Sequence, residues 1–129
     1  MALEDILTER LEREPRVVCA YLFGSVARGT ATPDSDVDLA ILHQKAPEGY
    51  LEQPFDLEAD LSELVGRQVQ IVVLESAPGD LVHRVLRDGK LLVDRDPSAR
   101  IAFEVRARSE YFDMLPILRR YRRLKEHAS

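Results

Sequence analysis

Residues 24–42 read GSVARGTATPDSDVDLAIL, and this stretch decides the fold. It follows a continuous apolar run, Val17 to Phe23, of the kind found in strands buried on both faces. From Gly24 to Ser35 the residues are small or turn-forming, so the strand stops and the chain reverses. DVDLAIL (36–42) then alternates, with Val37, Leu39 and Ile41 on one face and Asp36, Asp38 and Ala40 on the other. That pattern predicts a second strand whose first turn of the pleat carries two aspartates.

Outward from this core the chain keeps alternating helix and strand. Leu3, Ile6, Leu7 and Leu11 recur at helical spacing, predicting a helix over 2–13 that Pro15 ends. HQKAPEGYLEQP (43–54) reads as loop. Leu57, Leu61, Leu64 and Val65 form a helical stripe closed by Gly66. RQVQIVVL (67–74) predicts a third strand, with Val69, Ile71 and Val73 facing one way and Gln70 and Val72 the other. Pro78 opens a helix through Leu81, Val82, Val85 and Leu86, and Asp88-Gly89 turns into a short strand, KLLV (90–93). Asp96-Pro97-Ser98 caps a long terminal helix, with Ile101, Val105, Phe112, Leu115 and Leu118 as its expected apolar stripe and Pro116 expected to kink or split it. The fold class is α+β: a small mixed β-sheet covered by helices, packed in two layers, plus a C-terminal helix.

Composition agrees with one domain. The 129 residues are 45% hydrophobic and 32% charged, enough for a core and unlike a disordered tail. No apolar run approaches the ~20 residues of a membrane span. The acidic, amphipathic N-terminus does not read as a signal peptide. The lone Cys19 excludes an internal disulfide and, with three scattered histidines, leaves no zinc constellation. A cytoplasmic location is the default expectation. The net charge of −5 argues against a protein that coats nucleic acid. It hides an asymmetry: residues 1–99 hold 10 Lys/Arg against 19 Asp/Glu, whereas residues 100–129 hold 8 against 4.

The chemistry sits in the opening stretch. Side chains two apart on a strand share a side, roughly 6.5–7 Å apart. Carboxylates so placed repel one another unless a positive charge rewards them. Two divalent cations ~3.5–4 Å apart would do so. Magnesium suits all-oxygen ligands and is usually shared with substrate phosphates. Gly24 lets the main chain approach a phosphate. If Ser25 starts a short helical turn, the exposed N–H groups there attract an anion. The Ser25 hydroxyl adds a donor, and Arg28 could reach a terminal phosphate. Each piece alone reads as an ordinary turn or a solvated loop. In this order, on strand, turn and strand, they describe a nucleotidyl-transfer site.

GSVARGTATPDSDVDLAIL resembles the G-S-x10-D-x-D signature of the DNA polymerase beta-like nucleotidyltransferase superfamily. With LSELVGRQVQIVVL (61–74) and LRDGKLLVDRD (86–96), the chain is similar to its minimal nucleotidyltransferase branch, prokaryotic antitoxins, over roughly residues 3–96. The resemblance implies the polymerase beta-like fold, with a minimal nucleotidyltransferase domain at 1–97. Residues 98–129 are then a helical, basic extension packed on that domain or on a partner. It implies that Gly24 and Ser25 bind the nucleotide's phosphates, with Arg28 as helper. It also implies that Asp36 and Asp38 are the catalytic residues and metal ligands for two Mg2+ ions. ATP is then the substrate, and AMP passes to a hydroxyl of a HEPN-type toxin, an RNase-like partner.

One position departs from the family pattern. A third carboxylate belongs on the strand after the covering helix, and Gln70 stands there. Glutamine holds no negative charge beside a metal and accepts no hydroxyl proton as a base. Glu75 is an odd number of residues away, so it should face the other side unless a bulge intervenes. The alternative reading is therefore a catalytically impaired module that neutralises its partner by contact. His43, His83 and His127 share no spacing with an acid or nucleophile and read as structural. Cys19 reads as inert core, and Ser25, with no local base, is not read as a covalent nucleophile. Arg119, Arg120, Arg122, Arg123 and Lys125 interleave with Tyr111, Phe112, Leu115, Leu118 and Tyr121. They form either a solvated helix end or a contact surface, for the acidic body, a second copy (a homo-oligomer) or a toxin. Direct RNA binding is the least favoured role.

Overall fold

The computed structural model describes residues 2–44 and 55–127. Most of the expected 43–54 loop lies outside the described residues. Helix α1 (Leu3–Glu12) leads to strand β1 (Val17–Phe23), a one-turn helix α2 (Gly24–Arg28) and strand β2 (Val37–His43). Helix α3 (Phe55–Val65) precedes strand β3 (Val69–Val73), and a 3-10 turn at Leu74–Ser76 leads to helix α4 (Gly79–Asp88). Strand β4 (Lys90–Asp94) and helix α5 (Pro97–His127) complete the chain. Among the described residues no helix is long and apolar enough to cross a membrane.

The four strands form one mixed sheet in the order β3-β2-β1-β4. β1 runs antiparallel to both β2 and β4, and β2 runs parallel to β3. The crossover from β2 to β3 is α3, as a parallel pair requires. Val18 to Leu22 of β1 are all buried, which is why the run shows no alternation.

The helices cover both faces, so the sheet is the middle of three layers and not one of two. Leu7 and Leu11 of α1 and Leu57 and Leu61 of α3 pack on Val37, Leu39 and Ile41. On the opposite face, Val82 and Val85 of α4 and Phe103 of α5 pack on Val18, Tyr21, Ala40 and Leu42. The small side chain at Ala40 and the continuous β1 run make the second face possible; a chain with polar residues there would have had one wet face. β3 is an edge strand, and α3 blunts it: the Ser62 hydroxyl accepts from Val69 N–H at 3.0 Å and the Glu58 carboxylate from Ile71 N–H at 2.8 Å.

Helix α5 corrects two expectations. It continues through Pro116 without splitting. Its buried face is also not the expected stripe. Ile101, Val105 and Phe112 are exposed and Leu115 and Leu118 half-buried, while Phe103 is buried and Ala99 and Ala107 pack beside it. The reason is that α5 docks through a short apolar patch supplemented by polar groups. Tyr21 Oη donates to Glu104 at 2.5 Å, Arg100 pairs with Glu104 at 3.0 Å, and Arg100 also pairs with Asp94 at 2.9 Å. Burial and the Glu104 bond push the Tyr21 phenol far up. The expected cap holds: Ala99 N–H donates to the Asp96 carboxylate at 3.1 Å, with Pro97 in the first turn.

Candidate active site

The two halves of the motif meet at one end of the sheet. Phe23, the last residue of β1, lies opposite Asp38 in the antiparallel register. The chain then turns at Gly24, whose φ of +75° is left-handed. A Cβ at Gly24 would collide with the Asp38 carboxylate, coming within 3.2 Å of its Cγ and closer still to one oxygen. Glycine is therefore required twice, by its backbone conformation and by contact with the acid. Ser25 follows in the first turn of α2, which has no side-chain cap. Gly29, at φ +74°, ends that turn.

Asp36 is exposed at the start of β2 and Asp38 is half-buried one pleat further in. Burial raises the Asp38 pKa, the Asp36 charge raises it further, and Arg28 opposes both. Arg28, the last residue of α2, thus acts electrostatically on Asp38 although its side chain is exposed.

Gln70 lies where the sequence placed it. In the parallel ladder it is level with Asp38. Its Nε2 donates to the Asp36 carboxylate at 3.3 Å. An amide stands against the aspartates where an acid would have added charge. Glu75 is no substitute: it accepts from His43 N–H at 2.8 Å and lies 3.1 Å from His43 Nδ1, at the far end of β2. Among the described residues no three acidic, histidine or cysteine side chains cluster as a metal site. Two hard carboxylates remain, and these suit magnesium, which uses one or two carboxylates and fills its shell with water and phosphate oxygens.

The other candidates behave as structure. Cys19 is buried, and desolvation lifts its thiol to about 11, so it is inert. His83 stacks on Tyr111 with ring centroids 3.8 Å apart. The side chain of His127 lies outside the described residues.

Arg67 stands beside the site, and no motif or spacing singles it out. Its Nε donates to Ser35 O at 3.0 Å, and one Nη donates to Ser35 O at 2.6 Å and Thr32 O at 3.0 Å. Val37 N–H donates to Gln68 O at 2.9 Å alongside. One half-buried guanidinium thus fastens the loop directly before Asp36 to the start of β3, where Gln70 sits. No periodicity reveals which carbonyls an arginine meets. Lysine offers one compact charge in place of the planar fork, so Arg67→Lys should recover only part of what Arg67→Gln loses. We expect Arg67→Gln to lower the unfolding temperature by a few degrees, as a thermal melt followed by circular dichroism would show.

The family described as polymerase beta, nucleotidyltransferase matches residues 5–98. The protein adenylyltransferase MntA of Shewanella oneidensis is 32% identical over 78 residues, 60% of this chain and 55% of its own length. MntA of Thermococcus cleftensis is 36% identical over 67 residues, 52% of this chain and 66% of its own. The chain thus spans between half and two thirds of the curated relatives it is similar to here. A chain in a crystal structure of a toxin–antitoxin with AMP-PNP superposes with a TM-score of 0.76 at 25% identity, covering 98% of both chains. Strand, glycine turn, paired aspartates and parallel neighbour occur in one contiguous match, and the chain is a member of the polymerase beta nucleotidyltransferase family.

Proposed function

We propose that this chain is a magnesium-dependent nucleotidyltransferase that moves AMP from ATP to a hydroxyl of a HEPN-type toxin and so acts as an antitoxin. The observation that carries the reading is the contact of the Gly24 turn with Asp38, with Asp36 and Arg28 beside it. The kinship with relatives named as protein adenylyltransferases supports the acceptor class. The likeness to a toxin–antitoxin with AMP-PNP supports the nucleotide and the partner class.

In this mechanism the hydroxyl oxygen of the acceptor attacks the α-phosphorus of ATP. The bond between the α-phosphorus and its bridging oxygen breaks, pyrophosphate leaves, and the hydroxyl proton is released to solvent water. The main chain at Gly24 admits the triphosphate because no Cβ fills the space. The Ser25 hydroxyl donates to a phosphate oxygen. Arg28 brings a permanent cation to the charge that accumulates on the departing pyrophosphate. Asp36 and Asp38 would hold magnesium, which supplies neutralisation of the triphosphate and acidifies the acceptor hydroxyl when bound. Arg67 keeps Asp36 in place from behind. Gln70 holds the Asp36 carboxylate by its amide and takes no proton from the acceptor.

The test is incubation of the chain with labelled ATP, Mg2+ and a folded HEPN toxin encoded beside it. Transfer of one or more AMP groups, each a mass gain of one adenylyl unit, is expected. A folded toxin that gains no mass while remaining neutralised favours the second reading, inhibition by contact, for which the amide at Gln70 is the specific observation.

A further inference from the structure

Helix α5 outruns the body on which it packs. Its buried face passes through Phe103 and Ala107. Steps of three and four residues carry the same face on through Glu110, Met114, Ile117, Tyr121 and Leu124. The spacing is 4-3-4-3-4-3, a heptad seam of the kind that a second helix covers. Past the body this seam faces solvent: Met114 is 48% exposed, Ile117 69%, Tyr121 62% and Leu124 63%. A contiguous apolar stripe of this length on a small domain marks a contact surface. Arg106, Asp113 and Arg120 run along one border, the positions that set partner choice and orientation in paired helices. Beside the covered half of the seam lies an open cavity of about 380 Å3 between α5 and the segment leading into α4. Leu74, Val82, Phe103 and Met114 give it an apolar floor, and two acids, Glu75 and Glu110, and one base, Arg106, line its walls.

We propose that a second copy of this chain covers the seam, with the two α5 helices antiparallel and Tyr121 and Leu124 of each copy seated in the cavity of the other. Two registers keep the seams in contact. Pairing only the free segments sets Met114 against Leu124 of the second copy and Ile117 against Tyr121. That arrangement stacks Arg120 on its own symmetry mate. It also covers only four side chains per copy, well short of the ~1,000 Å2 a stable interface needs. Sliding by one heptad sets Tyr121 opposite Glu110 of the second copy and Leu124 opposite Ala107. The Tyr121 hydroxyl then meets a carboxylate of the cavity wall while its ring reaches the apolar floor. Arg120 now lies beside Asp113 of the second copy, and two-fold symmetry makes that pair twice. The basic residues around Tyr121 are carried onto the acids Glu110 and Glu75, with Arg106 as the one opposing charge. The charge asymmetry of the chain, an acidic body with a basic tail, is what such an exchange of tails uses. The inference stands apart from the catalytic reading, since no residue in it belongs to the aspartate site.

The test is sedimentation equilibrium of the full chain alone, from about 1 to 200 µM. A monomer–dimer equilibrium is expected, weakened at least about tenfold by Tyr121→Ala with Leu124→Ala. Asp113→Arg and Arg120→Asp should each weaken it several-fold, and the two together should restore it. Residues 113 and 120 are two turns apart on one helix, ~10 Å along its axis, so such rescue arises between chains. Circular dichroism checks that each variant keeps its helix. A chain that stays monomeric at 200 µM overturns the proposal, as does a dimer indifferent to these changes. A monomer whose tail variants lose only the toxin complex also overturns it and assigns the seam to the toxin.

Discussion

Exchanging Asp36 and Asp38 together for alanine is expected to lower AMP transfer by on the order of 10^3-fold, because both carboxylates that we propose to hold the catalytic charge are lost at once. The measurement is the initial rate of label incorporation into a folded toxin at saturating ATP. Transfer within tenfold of the parent would place the chemistry elsewhere. Neutralisation of the toxin, scored in parallel, separates the two functional readings: it disappears with transfer if modification is the mechanism and persists if contact suffices. A stability readout accompanies the loss. Burial and the neighbouring Asp36 raise the Asp38 pKa, so in the metal-free protein its ionised form is disfavoured relative to the unfolded chain. Between the ordinary carboxylate pKa and the raised one, the native state binds more protons than the unfolded state. The contribution of Asp38 to stability therefore improves as pH falls through the raised pKa. Asp38→Asn should unfold at a higher temperature than the parent at pH 7 without metal, and this gap should close as pH falls towards 4. Comparing parent with variant isolates Asp38 from Glu104, whose lowered pKa acts in the opposite direction.

The sheet, and with it the placement of the paired aspartates, was legible because the signals that fix it are local and apolar. The unbroken run Val17–Phe23 announced a strand buried on both faces, and it pairs with a neighbour on each side. The alternation Val37, Leu39, Ile41 fixed which face carries Asp38, and through the parallel ladder which residue stands beside it. The seam of α5 was misread for the opposite reason. Its contact with the body combines Phe103 and two alanines with the polar groups of Tyr21, Glu104, Arg100 and Asp94, and hydrophobic periodicity does not register the part made by charge. Nor did anything mark which of its apolar residues the body would leave uncovered. The number of layers escaped as well, since a strand buried on both faces states only that two covers exist, and which helices supply them depends on the crossovers. Arg67 is the clearest case: its role lies in two main-chain oxygens thirty-odd residues away, and only the fold brings them within reach.

Gln70→Asp is expected to raise transfer, by roughly tenfold, with a corresponding gain in affinity for Mn2+ as a spectroscopic substitute for Mg2+. The amide now donates to Asp36, which holds that carboxylate in place but contributes neither a negative charge nor a proton acceptor. An acid at the same place on β3, level with Asp38, would concentrate a third charge at the end of the sheet. Without metal that crowding should destabilise the protein, since like charges a few ångströms apart cannot all ionise cheaply. The same crowding is relieved when a divalent ion binds, so the variant should show a larger rise in unfolding temperature on adding Mg2+ than the parent does. Gln70→Glu, with the length of the native side chain, controls for the reach of the shorter acid. Unchanged transfer together with unchanged metal affinity in both variants would mean that position 70 is a surface polar residue with no part in catalysis. A gain in metal affinity without a gain in transfer would assign it to metal retention alone. A gain in both would identify the glutamine as the feature that holds this chain's rate below what its fold can support, and toxin neutralisation in that variant would then report whether a slow transferase already suffices.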